Sequence, residues 1–170
     1  QGRAKPRLLQ SCLGVKLGPI QNRNTPGITM KVLFVCNANL GRSQVAEALF
    51  NQLSREPAIS AGTVADAIVE RTKPASRRLK DGGSSAITYM NEQGVDISES
   101  LRDQLTSEMV QEADKVVVMA DDDNWPNYLR NSDKVVVWTI EDTRGMDPDS
   151  ARPLYDEIKR RIQDLIKESG

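Results

Sequence analysis

The residues with the clearest chemical potential are Cys36 and Arg42, which have five residues between them and are followed by Ser43. A cysteine thiolate is a strong nucleophile and can form a covalent bond to an electrophilic substrate. An arginine guanidinium is permanently charged and presents a planar fork that matches two oxygens of a phosphate-like anion. The intervening residues are Asn37, Ala38, Asn39, Leu40 and Gly41. This spacing predicts a loop that holds an oxyanion beside a nucleophilic sulfur.

A predicted strand and a predicted helix flank this loop. Residues 31–36 contain a short apolar run with β-branched members, which is typical of a buried strand. Within residues 43–54, Val45, Leu49 and Leu53 recur every four positions, which predicts a helix with one buried face. Ser43 is a good residue to open that helix. Loop N–H groups and the partial positive charge of the helix N-terminus would then form an anion cradle, which stabilises Cys36 as a thiolate.

The Cys-x5-Arg-Ser pattern after the first strand resembles that of the low-molecular-weight protein tyrosine phosphatase family, which also contains thioredoxin-linked arsenate reductases. The resemblance runs from about Met30 to the C-terminus. It implies a three-layer, doubly wound α/β domain with a four-stranded parallel sheet and a phosphate-binding loop after strand one. It also implies a cysteine-dependent phosphomonoester hydrolase, a protein tyrosine phosphatase that works through a phosphocysteine intermediate and needs no metal or cofactor. A phosphorylated protein or a small aryl phosphate would be the substrate.

The order of elements along residues 30–170 independently predicts a doubly wound α/β domain, because strands and helices alternate. Strands are predicted near residues 31–36, 58–63, 115–120 and 135–140. The last two are continuous apolar runs, which are typical of strands buried on both faces. Helices are predicted at residues 43–54, at 84–94 with Gly94 as the C-cap, from Thr106 onward, within 121–130, and along the amphipathic C-terminal stretch.

Two stretches are predicted to lack regular structure. Residues 1–29 carry five basic side chains and no acidic one, and they show no periodicity. They are predicted to be a disordered basic extension, with a targeting or docking arm as the alternative. Residues 64–83 are predicted to be an irregular solvated loop, although their basic side chains could instead form a rim that attracts an anionic substrate.

The composition excludes several classes of protein. Beyond residue 29 the chain holds 18 basic and 24 acidic residues, and a mildly acidic body is a poor nucleic-acid binder. No apolar run approaches the length needed to span a membrane. The only cysteines are Cys12 and Cys36, which rules out a disulfide framework and favours a cytoplasmic location. The lack of histidine rules out Ser-His-Asp and Cys-His catalysis and most transition-metal sites.

A phosphatase of this kind also needs a carboxylic acid that protonates the leaving oxygen. Ligands of open α/β sheets bind beyond the carboxyl ends of the strands, so the candidate loops are 36–43, 61–66 and 141–150. Asp142 and Asp147 compete for the role. The resemblance favours Asp142, which follows Ile140 and Glu141 directly after the fourth predicted strand. Asp147 precedes Pro148, a pair that the family usually shows, but it could simply begin the last helix.

The resemblance assigns further roles within the loop. The N–H groups and side chains of residues 37–43 would bind phosphate. Asn39 would hold a strained turn with positive φ, and Ser43 would donate a hydrogen bond to the thiolate. The family often braces the asparagine with a histidine, and Ser100 stands at that position here. Thr143 replaces the proline that usually follows the acid, which predicts a less rigid loop.

Other departures leave the activity open. The places where phosphotyrosine-directed members carry cleft aromatics hold small, polar or charged residues, namely Val64, Ala65, Asp66, Thr143 and Arg144. The bulky aliphatic Leu40 inside the loop nevertheless resembles the loops of tyrosine-directed members. No cysteine follows Cys36, and Gly41 stands where many relatives carry a second loop cysteine, so arsenate reduction would require an external thiol. A non-catalytic oxyanion-binding module is another alternative. A nucleotide-binding loop fits poorly, because Cys36 and Arg42 stand where that motif requires its first glycine and its lysine.

Overall fold

The computed structural model describes residues 30–170, so the extension predicted for residues 1–29 and Cys12 lie outside the described residues. A single parallel sheet of four strands has the order β2-β1-β3-β4. The strands are β1 (Val32–Cys36), β2 (Ala58–Gly62), β3 (Lys115–Val118) and β4 (Val135–Val137). This arrangement confirms the predicted doubly wound α/β fold with a four-stranded parallel sheet.

Helices cover both faces of the sheet and create the three layers. They are α1 (Arg42–Leu53), α2 (Ala65–Arg71), α3 (Ser85–Glu92), α4 (Ser107–Glu112), α5 (Asn127–Arg130) and α6 (Pro148–Ser169). Alternate residues of β1 point to opposite faces, so Phe34 joins the larger core beneath α1, α3 and α6, while Leu33 joins the smaller core beneath α4 and α5. Along the described chain no helix is long and apolar enough to cross a membrane.

The fourth strand differs from its prediction. Strand β4 lies at the edge of the sheet, and Val136 and Val137 are 41% and 56% exposed. The prediction of burial on both faces was therefore wrong for β4, although it holds for most of β3. An apolar run cannot distinguish a central strand from an edge strand, because that difference depends on strand order. Both strands also end earlier than predicted, and the buried residues Trp138 and Ile140 belong to the connection after β4.

The stretch from 64 to 83 is more regular than predicted. It contains α2 and a 3₁₀ turn over Leu79–Gly82, which form where Val69 and Leu79 enter the core. Part of its positive charge is balanced, since Arg77 pairs with Asp66 and Lys80 pairs with Glu99. The prediction of irregular structure was therefore wrong for most of this stretch, whereas the prediction of solvated side chains holds for most of it.

Helix boundaries also differ in detail from the predictions. Helix α1 begins at Arg42 with Gly41 as its N-cap, so Ser43 lies inside the first turn instead of opening the helix. The predicted helix within 121–130 is a 3₁₀ turn over Asp122–Asn124 followed by the short α5, with Pro126 between them. The prediction that a helix begins at Thr106 is confirmed, because Thr106 caps α4. The C-cap of α3 is Gln93 and not Gly94 as predicted, and Gly94 follows it with a φ of +84°.

The end of β2 lies directly against the loop that follows β1. A Cβ atom on Gly62 would lie 2.6 Å from the carbonyl oxygen of Asn37 and 2.8 Å from the backbone nitrogen of Asn39. These are backbone atoms, which cannot move aside as a flexible side chain can. The absence of a side chain at position 62 therefore allows the loop to rest on the sheet.

We expect Gly62→Ala to lower the free energy of unfolding by about 1–3 kcal/mol, because the added methyl group must displace the loop backbone. Urea denaturation measures the change. Gly170→Ala is the matched control, since a Cβ there would make an ordinary contact of 3.6 Å. A Gly62→Ala protein as stable as the parent would contradict the close packing described here.

Candidate active site

The carbonyl groups of the loop after β1 are all occupied from outside the loop. Each carbonyl oxygen from residue 36 to residue 41 accepts a hydrogen bond from a donor beyond residue 42. The pairs are Thr63 N to Cys36 (2.9 Å), Val64 N to Asn37 (3.0 Å), Arg102 Nε to Ala38 (3.3 Å), Gln44 Nε2 to Asn39 (3.3 Å), Ser84 Oγ to Leu40 (2.5 Å) and Val45 N to Gly41 (3.0 Å).

This pattern determines where the loop N–H groups point. In a planar trans peptide the N–H group points opposite to the carbonyl group before it. With the carbonyl groups of residues 36–41 facing outward, the N–H groups of residues 37–42 face the interior of the loop. None of them donates to an acceptor within residues 30–170. The loop therefore presents a ring of free donors, as the sequence predicted for an anion cradle.

Asn39 holds the turn of this loop. Its φ of +51° lies in the left-handed region, which asparagine tolerates better than most residues. Its Nδ2 group donates to the hydroxyls of Ser43 (2.8 Å) and Ser60 (2.9 Å). Its Oδ1 atom accepts from Gln44 Nε2 (3.0 Å) and from the Asp103 N–H group (2.8 Å). All the hydrogen-bonding capacity of the side chain is thus used.

The absence of a histidine at position 100 leaves no gap beside Asn39. Among the contacts of the described residues, Ser100 bonds through its backbone to Ile97 and Leu79 and makes no bond to Asn39. The side chains of Gln44 and Ser60 and the backbone of Asp103 brace the asparagine instead. This brace joins residues far apart in the chain, which no local pattern indicates.

The sulfur of Cys36 lies at the base of the ring. Cys36 ends β1, is 2% exposed, and has its Sγ atom 3.0 Å from Ser43 Oγ. Because Ser43 Oγ already accepts from Asn39, its own hydrogen is free to point at the sulfur. A serine that donates to sulfur stabilises the thiolate more than the thiol. Asn39 therefore orients the hydroxyl group that faces the predicted nucleophile.

Arg42 points into the site and is 3% exposed. Its Nη1 group donates to the carbonyl oxygens of Met119 (2.6 Å), just beyond β3, and Ile140 (2.8 Å), beyond β4. These bonds fix the guanidinium plane. They leave the Nε and Nη2 edge without a carbonyl partner among the described residues, and that edge can receive two oxygens of an anion.

The two candidate acids occupy different environments. Asp142 lines the cavity above Cys36, with Oδ1 3.6 Å from Arg42 Nη2, and it accepts bonds from the N–H and guanidinium groups of Arg144. Asp147 is exposed and caps α6, where its carboxylate accepts from the N–H group (2.9 Å) and hydroxyl (2.8 Å) of Ser150. The bond from the Ser150 N–H group is the main reason that the pKa of Asp147 is lowered. The carboxylate of Asp147 is thus engaged in capping α6, outside the cavity.

The loop that carries Asp142 is held by a chain of buried hydroxyl groups. Tyr155, on α6, donates to Thr143 Oγ1 (3.1 Å), and the hydroxyls of Tyr155 and Ser85 lie 2.9 Å apart. Burial raises the pKa of Tyr155, so this hydroxyl remains protonated. Thr143 is itself buried. A buried side-chain hydrogen bond therefore anchors Thr143 where the family usually has proline, and the expectation of a less rigid loop stays a prediction.

The cavity above Cys36 has a volume of about 180 Å³. Its walls contain Leu40, Met146 and Arg144, and its far side is formed by the residues 82–85. Tyr155 is the one aromatic residue in the described lining, and it is fully buried behind Thr143. The sequence predicted a cleft without aromatic walls, and no exposed aromatic side chain lines the described cavity.

The structure brings most of the predicted site residues together and adds others. Cys36, Arg42 and Asp142 face one cavity, whereas Asp147 does not line it. Of the predicted loops, 36–43 and 141–150 contribute to the lining, while 61–66 supports the first of these from outside. Sequence reasoning missed Ser84, Ser85, Tyr155 and Arg102, which stand in stretches without a recognisable chemical motif.

Comparisons with known proteins point to one family. Residues 31–169 match the model of the family described as low molecular weight phosphotyrosine protein phosphatase. The chain is 29% identical to the glutaredoxin arsenate reductase of Synechocystis sp., over 80% of this chain and 95% of that protein. It is 28% identical, with a TM-score of 0.66, to the structure of a low molecular weight protein tyrosine phosphatase from T. tengcongensis, over 82% of this chain and 99% of that one. Vibrio vulnificus Wzb in complex with benzylphosphonate shares the fold, with a TM-score of 0.68 and 23% identity over 82% of this chain and 99% of that one.

Proposed function

The chain belongs to the low molecular weight phosphotyrosine protein phosphatase family, and from this premise we propose that it is a cysteine-dependent phosphomonoester hydrolase. One observation carries the proposal. The sulfur of Cys36 lies beneath a ring of inward N–H groups, with the open edge of Arg42 and the carboxyl group of Asp142 facing the same cavity. These are the nucleophile, the oxyanion clamp and the proton donor that a phosphocysteine mechanism requires.

In the first step the Cys36 thiolate attacks phosphorus in line with the leaving oxygen. The sulfur–phosphorus bond forms as the phosphorus–oxygen bond breaks, and Asp142 gives its proton to the departing oxygen. The N–H groups of residues 37–42 and the free edge of Arg42 hold the three remaining oxygens. Ser43 stabilises the sulfur anion before the attack and again when it leaves.

In the second step a water molecule releases the phosphate. Asp142, now ionised, takes a proton from the water as the water oxygen attacks phosphorus. The sulfur–phosphorus bond breaks, inorganic phosphate forms, and Cys36 returns to the thiolate. The buried position of Cys36 protects this intermediate until water enters through the cavity.

The substrate is a phosphorylated protein or a small aryl phosphate, and phosphotyrosine is the residue we favour. Leu40 and Met146 offer aliphatic surface to a ring, and the exposed guanidinium of Arg144 stands beside the cavity. A reducing compartment such as the cytoplasm suits a catalytic thiol and a chain with only two cysteines.

Arsenate reduction with an external thiol is the second candidate. It is favoured by the Synechocystis relative, whose name couples glutaredoxin to arsenate reduction. Arsenate has the shape and charge of phosphate and would fit the same ring. An internal cysteine relay is not available among the described residues, where Cys36 is the one cysteine. A second loop cysteine at position 41 would have to displace the Thr143 hydroxyl group, because a Cβ there would lie 2.6 Å from Thr143 Oγ1.

We expect steady turnover of p-nitrophenyl phosphate at mildly acidic pH, and we expect Cys36→Ser to reduce kcat by at least about 10³-fold, because the nucleophile is lost. Cys12→Ser is the matched control and should retain the parent activity. Thiol-dependent release of arsenite without phosphate ester turnover would favour the reductase. Binding of inorganic phosphate with neither reaction would contradict both enzymes and favour a non-catalytic oxyanion-binding module.

We expect Asp142→Asn to lower kcat for phenyl phosphate by about 10²- to 10⁴-fold, because the poor leaving group requires a proton. Asp147→Asn is the matched substitution and should change kcat by less than about threefold, since that carboxylate only caps α6. Steady-state kinetics on both variants measures the difference. Equal losses, or a greater loss for Asp147→Asn, would exclude Asp142 as the proton donor.

A further inference from the structure

Arg102 is a charged residue with no place in the mechanism above, yet it is more deeply buried than any other arginine among the described residues. Its side chain is 1% exposed and is the largest of the almost fully buried side chains among the described residues. Its Nε group donates to the carbonyl oxygen of Ala38 at 3.3 Å, in the middle of the oxyanion loop. Its Nη2 group is buried and has no hydrogen-bond partner within residues 30–170.

Such a guanidinium is costly to bury unless a negative charge compensates it. Arginine does not escape the cost by losing its proton, because its pKa is too high. The described chain offers it no carboxylate within ion-pair distance. Its charged neighbour Arg77 is a second cation, which donates to the Arg102 carbonyl oxygen and is itself paired with Asp66.

The negative charge that interacts with Arg102 is the thiolate of Cys36. Burial lowers the pKa of Arg102, and the charge of the Cys36 thiolate opposes that effect. Since the same loop would receive a dianionic substrate, Arg102 and the site share one electrostatic environment. The positive charge of Arg42 is partly balanced, because its Nη2 group lies 3.6 Å from the carboxylate of Asp142.

We propose that Arg102 is a second, buried cation of the active site, a positioning residue that keeps the oxyanion loop electropositive from behind. It acts through the Ala38 carbonyl group, which it holds outward, and through its uncompensated charge, which favours the Cys36 thiolate and an incoming anion. The inference rests on the proposed role of Cys36 as nucleophile. It adds a charge from outside the Cys-x5-Arg motif to the site.

The test compares the alkylation of Cys36 by iodoacetate, which is an anion, with alkylation by iodoacetamide, which is neutral. A Cys12→Ser background leaves Cys36 as the only cysteine. A positive potential accelerates the anionic reagent more than the neutral one, so the ratio of the two rate constants reports the field at the sulfur. Loosened packing would change both rates together and leave the ratio unaltered.

We expect Arg102→Met to lower this ratio by about fivefold to tenfold, as the loss of one nearby unit charge implies. Arg102→Lys should keep the ratio within about twofold of the parent, because it keeps the charge. Arg160→Met is the matched control. Arg160 is exposed and borders a depression with Lys115, the residue that begins β3, at the opposite end of that strand from the loop.

An unchanged ratio in a folded Arg102→Met protein would overturn the proposal. So would an equal fall in Arg102→Met and Arg102→Lys, because the bond to Ala38 would then account for the effect without the charge. If Arg102→Met does not fold, Arg102→Gln, which removes the charge but keeps a hydrogen-bond donor, is judged by the same ratio. The assay needs no turnover, so it can fail or succeed independently of the phosphatase assay.

Discussion

The outward hydrogen bonding of the loop carbonyl groups is the constraint on which the site depends. A peptide that turns its carbonyl oxygen toward Cys36 would withdraw one N–H group from the ring and place partial negative charge beside a sulfur anion. The structure prevents this at each residue from 36 to 41, because every carbonyl oxygen accepts a hydrogen bond from a donor outside the loop. The electropositive interior is a consequence of that external bonding.

Four of the six donors come from distant parts of the chain, so the loop depends on much of the domain. Thr63 and Val64 follow β2, Ser84 precedes α3, and Arg102 lies in the segment before α4. Arg42 in turn is fixed by carbonyl groups beyond β3 and β4. The loop therefore depends on all four strand ends, and its geometry requires the folded sheet.

Local features of the site were predictable because they lie within one short stretch. Cys36, Arg42 and the flanking strand and helix follow from adjacent residues, and the family resemblance of the same stretch implied the turn at Asn39. The edge position of β4 was not predictable, because exposure depends on strand order. Arg102 stands in a polar stretch that indicates a solvated surface, and only the folded chain shows its burial beneath Ala38. The hydrogen bond that anchors Thr143 likewise comes from Tyr155, a residue on another element.

The most direct test of the central claim is a crystal structure of the protein with orthovanadate bound. The account predicts a vanadium atom in line with Cys36 Sγ, with its oxygens about 2.7–3.1 Å from the N–H groups of residues 37–42 and from the Nε and Nη2 edge of Arg42. The carbonyl oxygens of residues 36–41 should keep their outward bonds. Vanadate bound elsewhere, or a loop in which one of these carbonyl groups turns toward the sulfur, would contradict it.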